Sequence, residues 1–249
     1  MGTGEQGGPV RAAWYTGASG KWRDWVSVLH LPYTAWHLSY VLIGAALAPH
    51  LSLSRLAATL IAFGLAVGIA AHALDELHGR PLGTSIPGPL LIGVSAVCLG
   101  GAVLLGVVGI GRVGWGLAGF IVAGGAIVCA YNLELWDGRL HNDATFALAW
   151  GAFPVLTAYY AQASTIRAAA VVAAAFALGL SQAQRQLSTL ARDVRRRVLS
   201  VDGQKVYRSG QVVRISRETL LGPAERSLVA LSWSTSALGV ALVLARTGH

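Results

Sequence analysis

Charged residues are scarce in this sequence of 249 residues, and their scarcity limits what kind of protein it encodes. Asp, Glu, Lys and Arg make up 12% of the chain and hydrophobic residues 54%, whereas a soluble domain carries about 25% charged residues. Cysteine occurs twice, at Cys98 and Cys129, so there is no cysteine-rich metal motif. No Ser/His/Asp arrangement and no phosphate-cradling glycine loop stands out either. Bulk water is therefore not the main environment of this chain.

Seven long apolar segments are present instead, and none of them contains a charged residue. Each is close to the roughly 20 residues that a helix needs to cross the hydrocarbon core of a bilayer. We therefore predict an all-α, polytopic transmembrane helical bundle of about seven spans, with six or eight as open alternatives. The predicted spans are residues 31–49, 56–74, 88–111, 113–133, 144–163, 168–184 and 227–245.

The first 30 residues differ from the remainder of the chain. They contain no apolar core of the kind that a cleavable signal peptide has, but Trp and basic residues occur near Trp22 and Arg23. We predict a tail and an interfacial segment over 1–30, although a merely soluble tail explains this composition equally well. Residues 31–249 are expected to form a single transmembrane helical domain.

The basic residues predict the orientation of the bundle. With seven spans, one side holds all but four of the 19 Lys and Arg residues, so the positive-inside rule makes that side and the amino terminus cytoplasmic. We expect the inner (plasma) membrane of a prokaryote. A basic loop at about 191–226 supplies most of the net charge of +8 and is expected to contact membrane lipids, not nucleic acid. Within it, residues 201–215 alternate as in a small hairpin that could cover a cytoplasmic opening, and the alternative is a loop with only a topological role.

Polar residues cluster at the cytoplasmic end of the second predicted span. His72, Asp75, Glu76 and Gly79 are spaced i, i+3, i+4 and i+7, which places an imidazole and two carboxylates on one helical face. Ionisable groups where a span leaves the membrane are a functional hypothesis by default.

The sixth span ends in a second polar face. Gln182, Gln186, Thr189 and Asp193 recur at helical spacing, with Arg185 and Arg192 beside them. We predict that this face also points into a cavity.

Together the two clusters predict a site for a metal ion and an anionic substrate. His72, Asp75 and Glu76 are the candidate ligands of a divalent cation, with Mg²⁺ the first choice because it prefers oxygen donors. Arg80, Arg185, Arg192 and Arg195 are the candidate phosphate ligands. The alternative is that these acids and arginines are solvated anchors at helix ends.

Two runs of residues resemble motifs of a known family. HALDELHGRP at 72–81, followed by TSIP at 84–87, resembles the first aspartate-rich motif of the UbiA superfamily of membrane prenyltransferases. YN at 131–132 and WGAFPVLTAYY at 150–160 resemble a later part of the same family. The likeness extends from about residue 35 to residue 197. The first motif retains one of its three acids, Asp75, and the second has Gln182 and Gln186 where the family has Asn and Asp.

The resemblance implies a helical bundle whose cavity opens near the cytoplasmic face and binds a prenyl diphosphate through Mg²⁺. Ionisation of the diphosphate gives an allylic cation that a lipophilic or aromatic acceptor captures. Asp75 and Glu76 would be catalytic, and the substrate-binding residues would be Arg80, Tyr131, Gln182, Arg185, Gln186, Arg192 and Asp193.

Three functions remain open at this point. The first is a UbiA-like prenyltransferase or a related enzyme that uses prenyl diphosphates. The second is a non-catalytic protein that binds a lipid or quinone, or that serves as a scaffold for a protein partner whose identity the sequence does not give. The third is a transporter or metal-handling protein with His72, Asp75 and Glu76 as its ion site.

Overall fold

The computed structural model describes residues 20–248, apart from the side chain of Lys21. Residues 1–19 of the predicted tail and interfacial segment lie outside the described residues, and so does residue 249. The described chain is mostly helical, with one small hairpin near its carboxyl end.

The helices and strands follow the order of the predicted segments. Two π-helical segments interrupt otherwise continuous helices, one between α3 and α4 and the other between α7 and α8. The elements are α1 Lys21–Val28, α2 Leu31–Ala46, α3 Leu53–Phe63, the first π segment Gly64–Ala71, α4 His72–Leu77, α5 Gly88–Val113, α6 Gly116–Asn132, α7 Asp143–Phe146, the second π segment Ala147–Ala152, α8 Phe153–Ala163, α9 Ala168–Arg196, β1 Gln204–Val206, β2 Val212–Arg214 and α10 Arg217–Thr247.

Side-chain caps fix several helix starts. The hydroxyl of Ser52 accepts a hydrogen bond from the backbone N–H of Arg55 at the start of α3, and the Asn142 side chain accepts one from Thr145 at the start of α7. Ser216 and Thr219 form a reciprocal capping box at the start of α10. Each cap satisfies backbone donors that have no partner within the first turn of the helix.

Three helices are long and apolar enough to cross a membrane: Leu53–Leu77, Gly88–Val113 and Arg217–Thr247. Helix α6 is apolar but shorter. Helix α5 exposes large side chains along its length, such as Val97 and Leu104 at 74% and 64%, as expected of a helix that faces lipid. The prediction of a helical membrane protein thus holds in its coarse form, and each of the seven predicted spans falls on a helical segment.

Helix α2 lies at the centre of the packing, against α8 and α10. Its Trp36 and Tyr40 are fully buried, and the Trp36 indole N–H donates to the Tyr40 hydroxyl at 2.8 Å. Val155 of α8 and Leu228 of α10 belong to the same buried cluster. The core therefore joins helices that are far apart in the chain.

The predicted hairpin is present. β1 and β2 are antiparallel, with Val206 opposite Val212, and Gly210 adopts a φ of +83° in the turn between them. Glycine tolerates this left-handed conformation without strain. The irregular connection is shorter than the predicted loop of 191–226, because α9 continues to Arg196 and α10 already begins at Arg217.

Candidate functional site

A cavity of about 140 Å³ lies at the end of the bundle that carries most of the basic residues. It is enclosed by the start of α2, the end of α4, the end of α6, the segment 141–150, the second half of α9 and the start of α10. Both polar clusters found in the sequence contribute to it, but not with all the predicted residues. The predicted site residues that line it are His72, Asp75, Tyr131, Arg185, Arg192 and Arg195.

Histidines form one wall of the cavity. The rings of His30 and His72 are stacked, with centroids 4.4 Å apart and planes inclined by 17°. His37 lies deeper, and its Nδ1 is 3.0 Å from the carbonyl oxygen of Trp150. The His72 Nδ1 is 3.2 Å from the carbonyl of Gly68. These contacts fix the ring positions, because a buried imidazole that is bonded at one nitrogen has little freedom to rotate.

Burial and charge act together on His30, which lies at the entrance to α2. Burial, followed by the neighbouring His72 and then Arg196 and Arg192, lowers the pKa of His30 well below its ordinary value. His30 is consequently neutral at pH 7, and it adds no positive charge to a wall that already carries arginines.

Asp75 and Glu76 are separated by the fold although they are adjacent in the chain. Asp75 lines the cavity and lies within electrostatic reach of Arg192, Arg185 and His141. Glu76 is 1% exposed and points away, into the loop that follows α4.

The carboxylate of Glu76 is used to hold that loop. It accepts hydrogen bonds from the backbone N–H of Leu82 at 2.9 Å, and from the backbone N–H and the hydroxyl of Thr84, both at 2.8 Å. Arg80 does not reach the cavity either, because its guanidinium donates to the carbonyl of Ile86 at 2.6 Å. Glu76 and Arg80 therefore contact the loop after α4 and do not line the cavity.

Asp24 of α1 holds the same loop from the other side. Its carboxylate accepts hydrogen bonds from the backbone N–H and the hydroxyl of Ser85, at 2.9 and 2.6 Å. The hydroxyl of Ser85 contributes most to lowering the pKa of Asp24, followed by its backbone N–H. The segment predicted to be interfacial thus folds as a short helix that packs against the loop after α4.

Helix α9 presents a different face from the predicted one. Gln182, Gln186 and Asp193 are exposed and do not line the cavity. The cavity is lined by Gln184 and Ser188, together with Arg185 and Arg192. The prediction that a polar face of this helix reaches a cavity holds, but the face is a different one.

Arg185 is held on both sides. Its Nε donates to the Asp143 carboxylate at 2.8 Å, and its guanidinium carbon lies 5.3 Å from the centroid of the Phe146 ring. Arg195 is paired with Glu225 of α10, which offsets its charge. Arg192 donates to the hydroxyl of Thr189 at 3.2 Å, and the carboxylate of Asp75 lies within its electrostatic reach.

Aromatic rings cover the inner end of the cavity. Tyr131 stacks on His141 with centroids 4.4 Å apart, and it lies 5.2 Å from Trp150 and 6.2 Å from Phe146. The ring faces carry partial negative charge and are attractive to a cation.

Two polar atoms of residues that line this cavity are buried and find no hydrogen-bond partner in the described part of the chain. Within the described residues, neither the hydroxyl of Tyr131 nor the Oε1 of Gln184 has a hydrogen-bond partner. Tyr131 is 4% exposed and Gln184 is 2% exposed. Because a buried polar group without a hydrogen bond is costly, such atoms in a cavity indicate a ligand that provides the missing bonds.

A second, apolar groove of about 320 Å³ shares Trp150 with the polar cavity. It runs between α3, α5, α6 and the helix that contains Trp150, and it reaches Arg55 and Arg112 at the opposite end of the bundle. Trp150 lines both the cavity and the groove. A polar compartment and an apolar one therefore meet at this indole.

The donor set for a metal ion is small. No group of three His, Cys, Asp or Glu side chains close enough to hold a metal ion occurs between residues 20 and 248. Of the predicted ligands, Asp75 and His72 line the cavity and Glu76 does not. One carboxylate and one imidazole are a poor fit to Mg²⁺, which prefers several oxygen donors.

Several lining residues were not singled out as site residues in the sequence, among them Trp150, Phe146 and Gln184. The missed signal is structural: the π segment Gly64–Ala71 ends immediately before His72, and the π segment Ala147–Ala152 contains Trp150. Short π-helical segments often occur at functional sites, since the extra residue in the turn redirects the following side chains.

Comparisons of this chain with models of protein families, with curated proteins and with solved structures find no match.

Proposed function

We propose that this protein is a UbiA-like, seven-span membrane enzyme that binds a prenyl diphosphate and transfers the prenyl group to a lipophilic or aromatic acceptor. The observation that carries the proposal is the position of Trp150, at the junction of a cationic cavity and an apolar groove. A ligand with an anionic head and a long apolar chain matches both compartments at once.

The charge of the cavity supports an anionic head group. Arg185 and Arg192 line it, and Asp75 is a carboxylate within reach of both. Guanidinium groups bind phosphate oxygens through paired N–H donors, so they suit a diphosphate. The developing charge on the departing diphosphate is stabilised by the same groups.

The groove supports an apolar chain. It is lined by residues such as Phe63, Val103 and Ile121, and it extends from Trp150 between α3, α5 and α6. A prenyl chain gains about 25 cal/mol for each Å² of apolar surface that leaves water. Its allylic carbon would then lie close to Trp150, with the diphosphate on the cavity side.

The chemistry follows from this placement. The bond between the allylic carbon and the diphosphate oxygen breaks, and the electron pair leaves with the diphosphate. The allylic cation is held against Tyr131, Phe146 and Trp150 until a nucleophilic atom of the acceptor forms the new bond. The proton that the acceptor loses is taken by the carboxylate of Asp75, and the apolar surroundings exclude water from the cation.

Orientation is part of the proposal. The cavity lies at the end of the bundle with most of the basic residues, so we infer that it opens to the cytoplasm of a prokaryotic cell, where soluble diphosphates are available. Prenyl chains partition into the bilayer, which accounts for an enzyme embedded in the membrane.

The test is release of diphosphate by the purified protein in detergent. Farnesyl diphosphate and a lipophilic phenol are supplied, and diphosphate is measured with and without Mg²⁺. We expect release that Asp75→Asn removes, while the matched variant Asp193→Asn retains it because Asp193 is exposed on the other face of α9. Equal release by both variants would remove Asp75 from the site.

A second candidate function is a non-catalytic, UbiA-like protein that binds a lipid or quinone. The small number of carboxylates favours it, since Glu76 is used by the loop after α4. Native mass spectrometry separates the two: a prenyl ligand or quinone that stays bound with no release of diphosphate supports binding alone.

A further inference from the structure

The side chains that reach the cavity determine how it binds an anion. A divalent cation between protein and phosphate needs several oxygen ligands from the protein, from water or from the phosphate itself. Of the two carboxylates at the end of α4, Asp75 reaches the cavity, whereas both oxygens of Glu76 accept hydrogen bonds from Leu82 and Thr84. A site that depends on a metal held by α4 is therefore left with a single carboxylate.

Positive charge reaches the cavity directly instead. Arg192 lies within electrostatic reach of both Arg185 and Arg196, so like charges are crowded together on one side of α9. The neighbouring Arg195 is already neutralised by Glu225. Arg185 uses one of its five N–H donors for Asp143, which leaves the others for a ligand. Crowded guanidinium groups of this kind are stabilised when an anion lies between them.

A further donor belongs to a residue that lines the same cavity. Tyr131 lines the cavity, and its buried hydroxyl has no hydrogen-bond partner among residues 20–248. Tyr131 also lies within electrostatic reach of Arg185 and Arg192, so its hydroxyl and the two guanidinium groups share one region. Gln184 also lines the cavity, and its Oε1 has no hydrogen-bond partner in the described chain.

We propose that the cavity binds the diphosphate group directly through Arg185, Arg192 and the Tyr131 hydroxyl, without a bridging divalent cation. The proposal rests on the proposed function for the identity of the ligand, but not on turnover. It gives Asp75 a role other than metal binding. The negative charge of Asp75 opposes anion binding, and its carboxylate serves to accept the proton that the acceptor loses.

The two modes of binding give opposite results for one substitution. If a metal ion held by Asp75 bridged to the phosphate, Asp75→Asn would abolish binding. If the arginines hold the phosphate directly, removal of a nearby negative charge leaves the affinity unchanged or increases it. The sign of this effect identifies the mode without any measurement of activity.

The experiment measures binding of two probes, inorganic pyrophosphate and farnesyl diphosphate, to the full-length protein in detergent. Each is titrated in EDTA and in millimolar Mg²⁺. We expect dissociation constants in the two buffers to agree within about threefold, and Asp75→Asn to bind at least as tightly as the wild type. Arg192→Gln and Arg185→Gln should each weaken binding by roughly 10- to 100-fold, because each removes charge-assisted hydrogen bonds. Tyr131→Phe should weaken it by a smaller factor.

The control is Arg197→Gln, which makes the same chemical change beyond the end of the cavity on a side chain that is 85% exposed. It should bind both probes as the wild type does. Thermal unfolding of every variant in the same detergent shows whether a loss of binding reflects loss of the fold. Arg192→Lys is informative where Arg192→Gln unfolds, since it retains the charge and removes the paired geometry.

The outcomes separate the two proposals. Binding that requires Mg²⁺, or that Asp75→Asn abolishes, overturns direct recognition by the arginines and leaves prenyl transfer standing. Binding of pyrophosphate in EDTA with no binding of farnesyl diphosphate supports the anion site and contradicts the proposed function. Failure of both probes to bind in either buffer contradicts both.

Discussion

Glu76 and Thr84 are joined by two hydrogen bonds, both to the Oε1 of the carboxylate and both 2.8 Å long. A third bond from Leu82 occupies the other oxygen. With this side chain 1% exposed, the carboxylate at the end of α4 serves as an internal cap for the loop that follows, and the loop in turn packs against α1 through Asp24.

We expect Glu76→Gln to destabilise the protein without changing its affinity for pyrophosphate. The amide turns a donor toward one of the loop donors, and a buried group left without a hydrogen bond costs about 1–3 kcal/mol. Thermal unfolding in detergent measures the loss. The control is Asp137→Asn, an equivalent neutralisation at an exposed position. If Glu76→Gln had normal stability but bound pyrophosphate weakly, Glu76 would instead be part of the ligand site.

Two glycines permit a very close approach of helices in the bundle. A Cβ at Gly151 would lie 2.6 Å from the carbonyl oxygen of Ala177, and one at Gly44 would overlap the carbonyl oxygen of Val155. Backbone atoms cannot move aside as a flexible side chain does. These positions set how near α2 approaches α8 and how near α9 approaches the second π segment.

Gly151→Ala and Gly44→Ala should each destabilise the bundle, by about 1–3 kcal/mol if overpacking is relieved by small helix shifts. Gly93→Ala on α5 is the matched control, because nothing lies within 4 Å of a Cβ built there. Alanine also favours a helix over glycine by about 1 kcal/mol, so Gly93→Ala should be neutral or stabilising. Equal unfolding temperatures for all three variants would contradict the packing described.

Periodicity and hydrophobicity located the helices, because a lipid-facing helix must be apolar over most of its length. They did not identify the inward face of α9. Gln182 and Gln184 are two residues apart and project from nearly opposite sides of a helix with about 3.6 residues per turn. Both sides of α9 are polar near its carboxyl end, so the pattern alone favoured neither, and packing against α7 and α10 decides which one reaches the cavity.

Contacts between residues that are far apart in the chain also could not be predicted from the sequence. Asp75 and Glu76 are both carboxylates, at adjacent positions. Only the hydrogen bonds from the loop at residues 82–84 show that Glu76 stabilises the fold, whereas Asp75 lines the cavity. The role of Trp150 depends on a junction between two compartments, which no local spacing encodes. The close helix contacts at Gly44 and Gly151 could not be predicted either, because a chain with 31 glycines contains many pairs that match any spacing rule.

Trp150 allows a test of the aromatic lining. Trp150→Leu retains an apolar side chain but removes the ring face that we propose stabilises the allylic cation. A ring-cation contact is worth about 0.5–2 kcal/mol, which corresponds to a roughly 2- to 30-fold lower rate of diphosphate release. Binding of pyrophosphate should be unchanged. The control is Trp115→Leu, since Trp115 is 82% exposed and lies at the other end of the bundle. An unchanged rate for Trp150→Leu would argue against cation stabilisation at this position.

His30 makes the stability of the protein depend on pH in a definite direction. Burial and the neighbouring His72, Arg196 and Arg192 lower the pKa of His30 well below its ordinary value, so the unfolded chain binds a proton at a higher pH than the folded one does. The contribution of His30 is then fully present above about pH 6.5 and is lost as the pH falls below it, by at most about 1.4 kcal/mol per pH unit. The variant His30→Asn should therefore lose less stability between about pH 7.5 and pH 5 than the wild type, and asparagine also tolerates the φ of +46° found there. The measurement is the unfolding temperature across this pH range, with the exposed His50→Asn as the control. If the dependence of the unfolding temperature on pH is the same in His30→Asn as in the wild type, the titrating group is a residue other than His30.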